Sequence, residues 1–356
     1  MTAKLFTEID LGGVTVANRI CVPPMCQCQA DEGLVTAWHK MHYAKLASSG
    51  AGLVVVEATA VRSDGRITTR CLGLYTKAQT EAFRALTDEC KSVAPDTKLF
   101  IQLSHAGRKG SRGDPAEGHK TLRPAEGGFE LLAPSPVAFD AAAPVPKEMT
   151  EADIEAVIAD FGEAAKRARD AGFDGIQLHC AHGYLIHQFL SPVTNRRTDA
   201  WGGSLAARMR FGLAVIKAVR QVVPDMPVTL RVSSGDCIEN GWTLDEAIAF
   251  LKEAKTLGVV ACDVSAAGLD PAQKVPEFSV AGQAKTSRRV KDETGLVTYC
   301  VGHITEALQA EAILQENDAD GIGVGREMIR NPNWGWKAAQ TLHAVVQVPS
   351  AYWAAF

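Results

Sequence analysis

The chain has 356 residues, 46% hydrophobic and 22% charged, with a formal net charge of −4. That mix supplies a large apolar core and excludes the basic field that nucleic acid or an anionic membrane would call for. No apolar run reaches the ~18 residues of a transmembrane helix, the opening Met1–Phe6 lacks the apolar stretch of a signal peptide, and nine scattered cysteines read as reduced thiols, so a cytoplasmic location is expected.

Strand-like runs alternate with helix-like runs along the chain, which is the pattern of βα units and a parallel sheet. Arg19 to Val22 is the first and ends at Pro23-Pro24-Met25-Cys26. Gly52 to Val61 is the second, and Lys98 to Leu103 the third, leading into Ser104-His105-Ala106-Gly107-Arg108. Phe173 to Leu178 is the fourth, followed at once by His179-Cys180-Ala181-His182-Gly183-Tyr184. Val228 to Ser233 is the fifth, with Arg231 inside it, and Val259 to Ser265 the sixth. Leu296 to Val301, ending at Gly302, and Gly321 to Val324, ending at Gly325-Arg326, complete the set.

Between them, Ile154, Val157, Ile158, Phe161, Ala165 and Ala168 form one helical face, opened by a Thr150/Asp153 capping box. Leu205, Met209, Leu213, Ile216, Val219 and Val223 form another, and Thr243 with Glu246 caps a third helix. Eight such units predict one α/β domain over residues 1–356, a (β/α)8 TIM barrel. Residues 108–149 break the rhythm with Gly, Pro and charge, and are expected to form a lid or a plain surface loop after the third strand. Residues 340–356 form a tail.

In such barrels, side chains at the C-terminal ends of strands share one mouth. His179, His182 and Tyr184 fall at the end of the fourth strand, and read as a substrate-anchoring pair with a Tyr acid beside it. Hydrogen-bonded core histidines and an amphipathic Tyr are the plainer alternative. Gly302, Gly325 and Arg326 stand where barrels of this type bind phosphate, and a helix start beyond Gly325 would add a favourable dipole; a tight turn with a surface Arg remains open. Arg231 and Gln102 should point into the same mouth. A guanidinium on a buried strand needs an electron-rich partner such as a flavin edge, or else an ion pair with Glu57 or Asp263. Cys26 and Cys28, a lone Cys-x-Cys pair, are a weak metal signal, and no metal site is expected.

Taken together, Pro23 to Cys26, Glu57 to Ala60, Gln102 to Arg108, His179 to Tyr184, Arg196 to Ser204 and Gly325-Arg326 make the sequence resemble the Old Yellow Enzyme family of FMN-dependent ene-reductases. The likeness is to the bacterial branch of xenobiotic reductases and thermophilic-like enzymes, and runs from about Leu5 to Trp336. It implies FMN, tightly bound, and NADPH as hydride donor to an activated alkene with a carbonyl or nitro group. It also implies a homodimer or homotetramer. Pro24, Met25 and Cys26 would line the flavin, with Cys26 tuning its potential. Ala58, Gln102 and Arg231 would meet its pyrimidine side, and Gly302, Gly325 and Arg326 its phosphate. His179 and His182 would hold the substrate oxygen, and Tyr184 would give the proton.

The chain departs from that pattern in places. Cys28 stands where relatives carry a substrate-binding Tyr, Ala207-Arg208 replaces Asn-Arg, and the tail Tyr352–Phe356 offers no Arg to a neighbouring site. Trp353 is expected either to line the substrate pocket or merely to pack. Two other functions stand beside the enzyme: a flavin-loaded redox sensor switching through Cys26 and Cys28, and a metal-dependent barrel hydrolase using the His pair.

Overall fold

The structure, a computed structural model, describes residues 3–274 and 279–355. Met1, Thr2 and Phe356, on which parts of the leader and tail expectations fell, lie outside them. Eight parallel strands close into a barrel: β1 (Ile20–Val22), β2 (Leu53–Ala60), β3 (Lys98–Ser104), β4 (Gly175–Cys180), β5 (Val228–Ser233), β6 (Val259–Ser265), β7 (Val297–Val301) and β8 (Gly321–Gly323). Each pairs with its neighbours in chain order, and β8 returns to β1. The expected strand positions hold, with one shift that matters. β4 starts two residues late, because Phe173 packs edge-on against Phe83 at 5.7 Å and the Asp174 carboxylate takes the Leu99 amide at 2.8 Å. His179 therefore lies within the strand, opposite Arg231 of β5.

The helices α1 (Ala37–Ala47), α2 (Lys77–Val93), α3 (Glu151–Asp170), α4 (Leu185–Leu190), α5 (Leu205–Val222), α6 (Leu244–Thr256), α7 (Val280–Thr294), α8 (Ala307–Gln315), α9 (Arg326–Arg330) and α10 (Trp334–Thr341) surround the barrel or cap its ends. The capping boxes expected at Thr150/Asp153 and Thr243/Glu246 are formed, each worth about 1 kcal/mol. The apolar faces of α3 and α5 pack on each other and on the strands, with Ile154, Val157, Phe161, Val215, Ile216 and Val219 fully buried.

Inside the barrel the side chains lie in three layers. The floor is Cys21, Leu53, Val55, Phe100, Ala261 and Tyr299, plugged from below by Ile9, Leu11 and Val16. Those three come from an antiparallel hairpin, Ile9–Leu11 with Val14–Val16, that the alternation of the sequence did not disclose because each arm is only three residues long. Above the floor sits a polar layer of Gln102, Gln177, Arg231 and Asp263. The third layer is the mouth.

A register shift between Val56 and Thr59 turns β2 at the rim. Glu57 consequently faces α1, where it accepts hydrogen bonds from the Tyr43 hydroxyl at 3.2 Å and the Gln27 amide at 2.9 Å. Ala58 turns inward instead, towards Cys71, Cys28 and Tyr184.

Residues 108–149 contain only short 3-10 turns and a two-residue strand pair, Leu132–Ala133 with Lys147–Glu148. The excursion is strapped down by two arginines. Arg108, 1% exposed, donates to the carbonyls of Val137 and Ala138 on the excursion, and to the Leu269 carbonyl and Asp270 carboxylate on the rim beyond β6. Arg197 donates to the carbonyls of Pro134 and Met149. Among the described residues no helix is long and apolar enough to cross a membrane.

Candidate active site

The polar layer forms the floor of the site. Gln102 Nε2 donates to Gln177 Oε1 at 2.7 Å, and Gln177 Nε2 donates to Asp263 Oδ2 at 3.1 Å. Asp263 is the strand neighbour of Arg231, so of the two ion-pair partners expected for Arg231 it is Asp263 that sits alongside, while Glu57 faces away. Burial pushes the Asp263 carboxyl up to about 6 against the pull of Arg231 and Gln177. Burial likewise lowers Arg231, with Asp263 opposing. Even so, the guanidinium is not saturated. Its Nη1 donates to the Pro24 carbonyl at 3.4 Å, and its Nε is buried with no partner among the described residues. A buried, unpartnered donor costs about 1–3 kcal/mol unless a ligand meets it.

A cavity of about 410 Å³ opens above this layer, lined by Pro24, Met25, Arg231, Ser265, Gly302, Gly325 and Arg326, among others. One end is an anion cradle. Gly302 holds φ at 136°, a backbone that favours glycine, and Gly325 precedes α9. Because α9 is only five residues long, its dipole is slight; contact with a phosphate would fall to the backbone amides and the Arg326 guanidinium. A phosphate at one end and an electron-rich ring over Arg231 at the other is the demand pattern of FMN, which these residues fit.

The histidine pair stands at the rim. The rings of His179 and His182 meet edge to face at 5.1 Å, and His179 meets Tyr184 the same way at 4.8 Å. His179 Nδ1 accepts from the Ala181 amide at 3.3 Å, so its proton sits on Nε2. His182 Nε2 lies 2.7 Å from the hydroxyl of Ser265, which lines the cavity. Burial, helped by Arg231 and Lys109, holds both imidazoles well below their ordinary pKa. The site thus has two neutral N–H donors. Burial pushes the Tyr184 phenol up, so it keeps its proton.

The turn carrying these rings is fixed from behind. The Gly183 amide donates to His187 Nδ1 at 2.9 Å, and His187 Nε2 lies 3.0 Å from Asp236 Oδ1, both side chains being fully buried. Asp236 also accepts from Ser191 and from the Trp242 amide. Gly183 itself has φ of 73°, and a Cβ there would fall 2.6 Å from the Gly268 carbonyl oxygen and the Leu269 Cα. Gly183→Ala is therefore expected to cost about 1–3 kcal/mol, read as a lower urea midpoint.

Two groups at the mouth were not read from the sequence. Lys109 donates to the carbonyls of His182 and Gly268 at 2.7 and 2.5 Å, and its ammonium lies 4.9 Å from the centre of the Tyr184 ring and 5.1 Å from that of Phe139 on the excursion. Burial, with Arg112 and Arg108 nearby, pulls it down to about 7. The other is Cys71, which packs with Ala58 beside Cys28 and Tyr184. Cys26 is exposed and Cys28 half-buried. Trp353 is not brought to the mouth of its own barrel. It is largely exposed beside Trp336 and Val348, and its Nε1 donates to the Val348 carbonyl. The tail lies with Ser48 to Gly52 and Val93 to Thr97, the segments that enter β2 and β3, at the opposite end of the barrel.

Residues 4–344 match the NADH:flavin oxidoreductase / NADH oxidase family. An NADPH dehydrogenase of Geobacillus sp. (strain WCH70) is 40% identical over 356 residues, covering 99% of this chain and 98% of that protein. Morphinone reductase superposes with a TM-score of 0.81 at 24% identity, over 98% of this chain and 92% of that one. A 2-naphthoyl-CoA reductase complex gives a TM-score of 0.86 at 24% identity over 96% of this chain, which spans about half of that one, 53%. At such identities the two solved structures speak for the barrel alone.

Proposed function

Since the chain belongs to the NADH:flavin oxidoreductase / NADH oxidase family, we propose that it reduces the C=C bond of α,β-unsaturated carbonyl or nitro compounds. It is an oxidoreductase with FMN as cofactor and NADPH as hydride donor. The observation that carries the finer reading is the cluster of two neutral imidazoles and a protonated phenol at the end of β4, with His179 the strand neighbour of Arg231, whose Nε has no partner among the described residues.

Arg231, Gln102, Ala58, Pro24 and Met25 would hold the ring of FMN with Cys26 beside them, and Gly302, Gly325 and Arg326 would hold its phosphate. Bound there, FMN supplies the redox chemistry, hydride uptake from NADPH and hydride delivery to an electron-poor carbon. The protein does the rest. His179 Nε2–H and the N–H of neutral His182 donate to the carbonyl or nitro oxygen and stabilise the negative charge that builds there. Tyr184 passes its hydroxyl proton to the α-carbon. Cys28 and the Ala58 wall shape the pocket beside them. One mouth serves both NADPH and alkene, so ping-pong kinetics are expected. Trp353 joins a mouth only if the chain assembles as the expected homodimer or homotetramer.

Anaerobic stopped-flow spectroscopy tests the reading. Purified protein should be yellow with FMN, bleach with NADPH and regain colour on mixing with 2-cyclohexenone. Colourless protein that refuses FMN, or reduced protein that reoxidises no faster with the enone than without, overturns it.

A further inference from the structure

Residues 23–30, which carry Pro24, Met25 and Cys26, form neither helix nor strand, so their backbone groups are held by other elements. Glu57 holds one of them from behind. It is fully buried, and its Oε2 accepts the Gln27 amide at 2.9 Å, one residue after Cys26. The Gln27 side chain closes the turn, its Nε2 donating to the Met25 carbonyl at 2.8 Å and its Oε1 accepting from Trp38 Nε1 of α1 at 3.1 Å. The other carboxyl oxygen of Glu57 meets α1. Oε1 accepts from the Tyr43 hydroxyl at 3.2 Å, and that hydroxyl oxygen accepts in turn from the Glu57 amide at 2.9 Å. His39 Nδ1 accepts the Thr36 amide at 3.1 Å, so its proton is on Nε2, which faces Oε1 at 3.6 Å, too far to bond. Each of these groups presents a hydrogen to the carboxyl. The carboxylate satisfies the two that bond, and the neutral acid does not.

We propose, on the reading that Met25 and Cys26 line FMN, that Glu57 is a positioning residue for the flavin: its carboxylate fixes the Gln27 amide, and with it Met25 and Cys26, and a proton on it releases that hold. A proton on Oε2 meets the Gln27 N–H. One on Oε1 meets the Tyr43 hydroxyl, whose oxygen already takes the Glu57 amide. Either way a donor loses its acceptor, and Gln27 is the one that no helix or strand restrains, since Tyr43 is set in α1. Burial places this event, holding Glu57 up at about 8 while its bonds to Gln27 and Tyr43 pull the other way. The titratable neighbours leave that range clear. Burial lowers His39 to about 4, and does the same to His42, which meets the Tyr43 ring edge to face. Burial pushes the Tyr43 phenol up, and the Cys71 thiol with burial pushes Cys28 up. The hold on Gln27 is therefore complete above about pH 8 and is lost as pH falls through that value.

The test follows the visible spectrum and midpoint potential of FMN-loaded protein on both sides of pH 8, together with amide hydrogen exchange of the 23–30 segment. Wild type should show an inflection in spectrum and potential near pH 8. Below it, exchange at Gln27 should be about tenfold faster or more once the intrinsic rate is divided out, as expected for a lost hydrogen bond to a charged group. Glu57→Gln, uncharged at every pH, should match acidified wild type and show no inflection. Tyr43→Phe removes a donor that pulls Glu57 down, so it should move the inflection to higher pH. Cys26→Ser should keep the inflection, which separates it from titration of that thiol. An inflection that survives in Glu57→Gln, or a flavin and a Gln27 exchange rate in that variant that equal wild type at every pH, overturns the inference. If Glu57→Gln does not fold, an inflection unmoved in Tyr43→Phe overturns it. Protein that takes up no FMN sinks the flavin reading instead, and Gln27 exchange across pH 8 then still decides whether Glu57 holds the segment.

Discussion

Tyr184→Phe is expected to slow reoxidation of the reduced enzyme by 2-cyclohexenone about 10²–10⁴-fold, the usual worth of a positioned general acid. Reduction by NADPH should change by no more than about twofold, since hydride transfer from a nicotinamide needs no proton from the protein. The substitution is clean on structural grounds. The ring keeps its edge contact with His179 at 4.8 Å and the Lys109 ammonium 4.9 Å from its centre, and its burial is unchanged; only the hydroxyl is lost. Because burial pushes the phenol up, the proton is on Tyr184 through the neutral range, and the wild-type rate should show no loss from phenol ionisation below pH 10. Separate stopped-flow measurement of the two half-reactions decides the matter. Equal slowing of both would move Tyr184 from proton donor to structural support.

The barrel was legible because each of its strands is a short apolar run closed by turn chemistry, and closure follows from counting them. The rim residues were legible for a related reason. His179, His182 and Tyr184 follow one run, Arg231 interrupts another and Gly325-Arg326 ends a third, so local position predicts a shared mouth. What was hidden depends on contacts between distant segments. Glu57 looks like a mouth residue from alternation alone, and only the irregularity after Val56 sends it to Tyr43. Lys109 reads as one charge in a charged loop, yet the excursion buries it between two carbonyls. Cys71 sits in a segment with no periodicity, and its packing against Cys28 and Tyr184 exists only once β1 and β2 are side by side. The tail follows no pattern, so the sequence could not tell which end of the barrel Trp353 would meet.

Truncating His179 to Ala should lower the rate of the alkene half-reaction about 10²–10³-fold, the cost of one donor at a developing oxyanion, with His179→Asn recovering part of it through its amide N–H. The pH profile separates this role from a charged one. Both imidazoles are held neutral by burial beside Arg231, well below the ordinary histidine value near 6.5. The alkene half-reaction should therefore show no inflection near pH 6.5; an inflection there that vanishes in His179→Asn would mean that an imidazolium does the work. Stability carries the complementary sign. A histidine whose folded pKa lies below its unfolded one leaves the unfolded chain binding more protons, so its contribution is intact above about pH 6.5 and is lost as pH falls below it. Glu57, held at about 8, and Asp263, at about 6, act in the opposite sense, since each binds its proton more tightly when folded. The difference between wild type and His179→Asn isolates the histidine. The wild type should lose more melting temperature between pH 7 and pH 5 than the variant, because only the wild type gives up a neutral buried imidazole when it is acidified. If the two curves stay parallel across that interval, the ring is not held neutral by the fold, and the two-donor account of the oxyanion site fails with it.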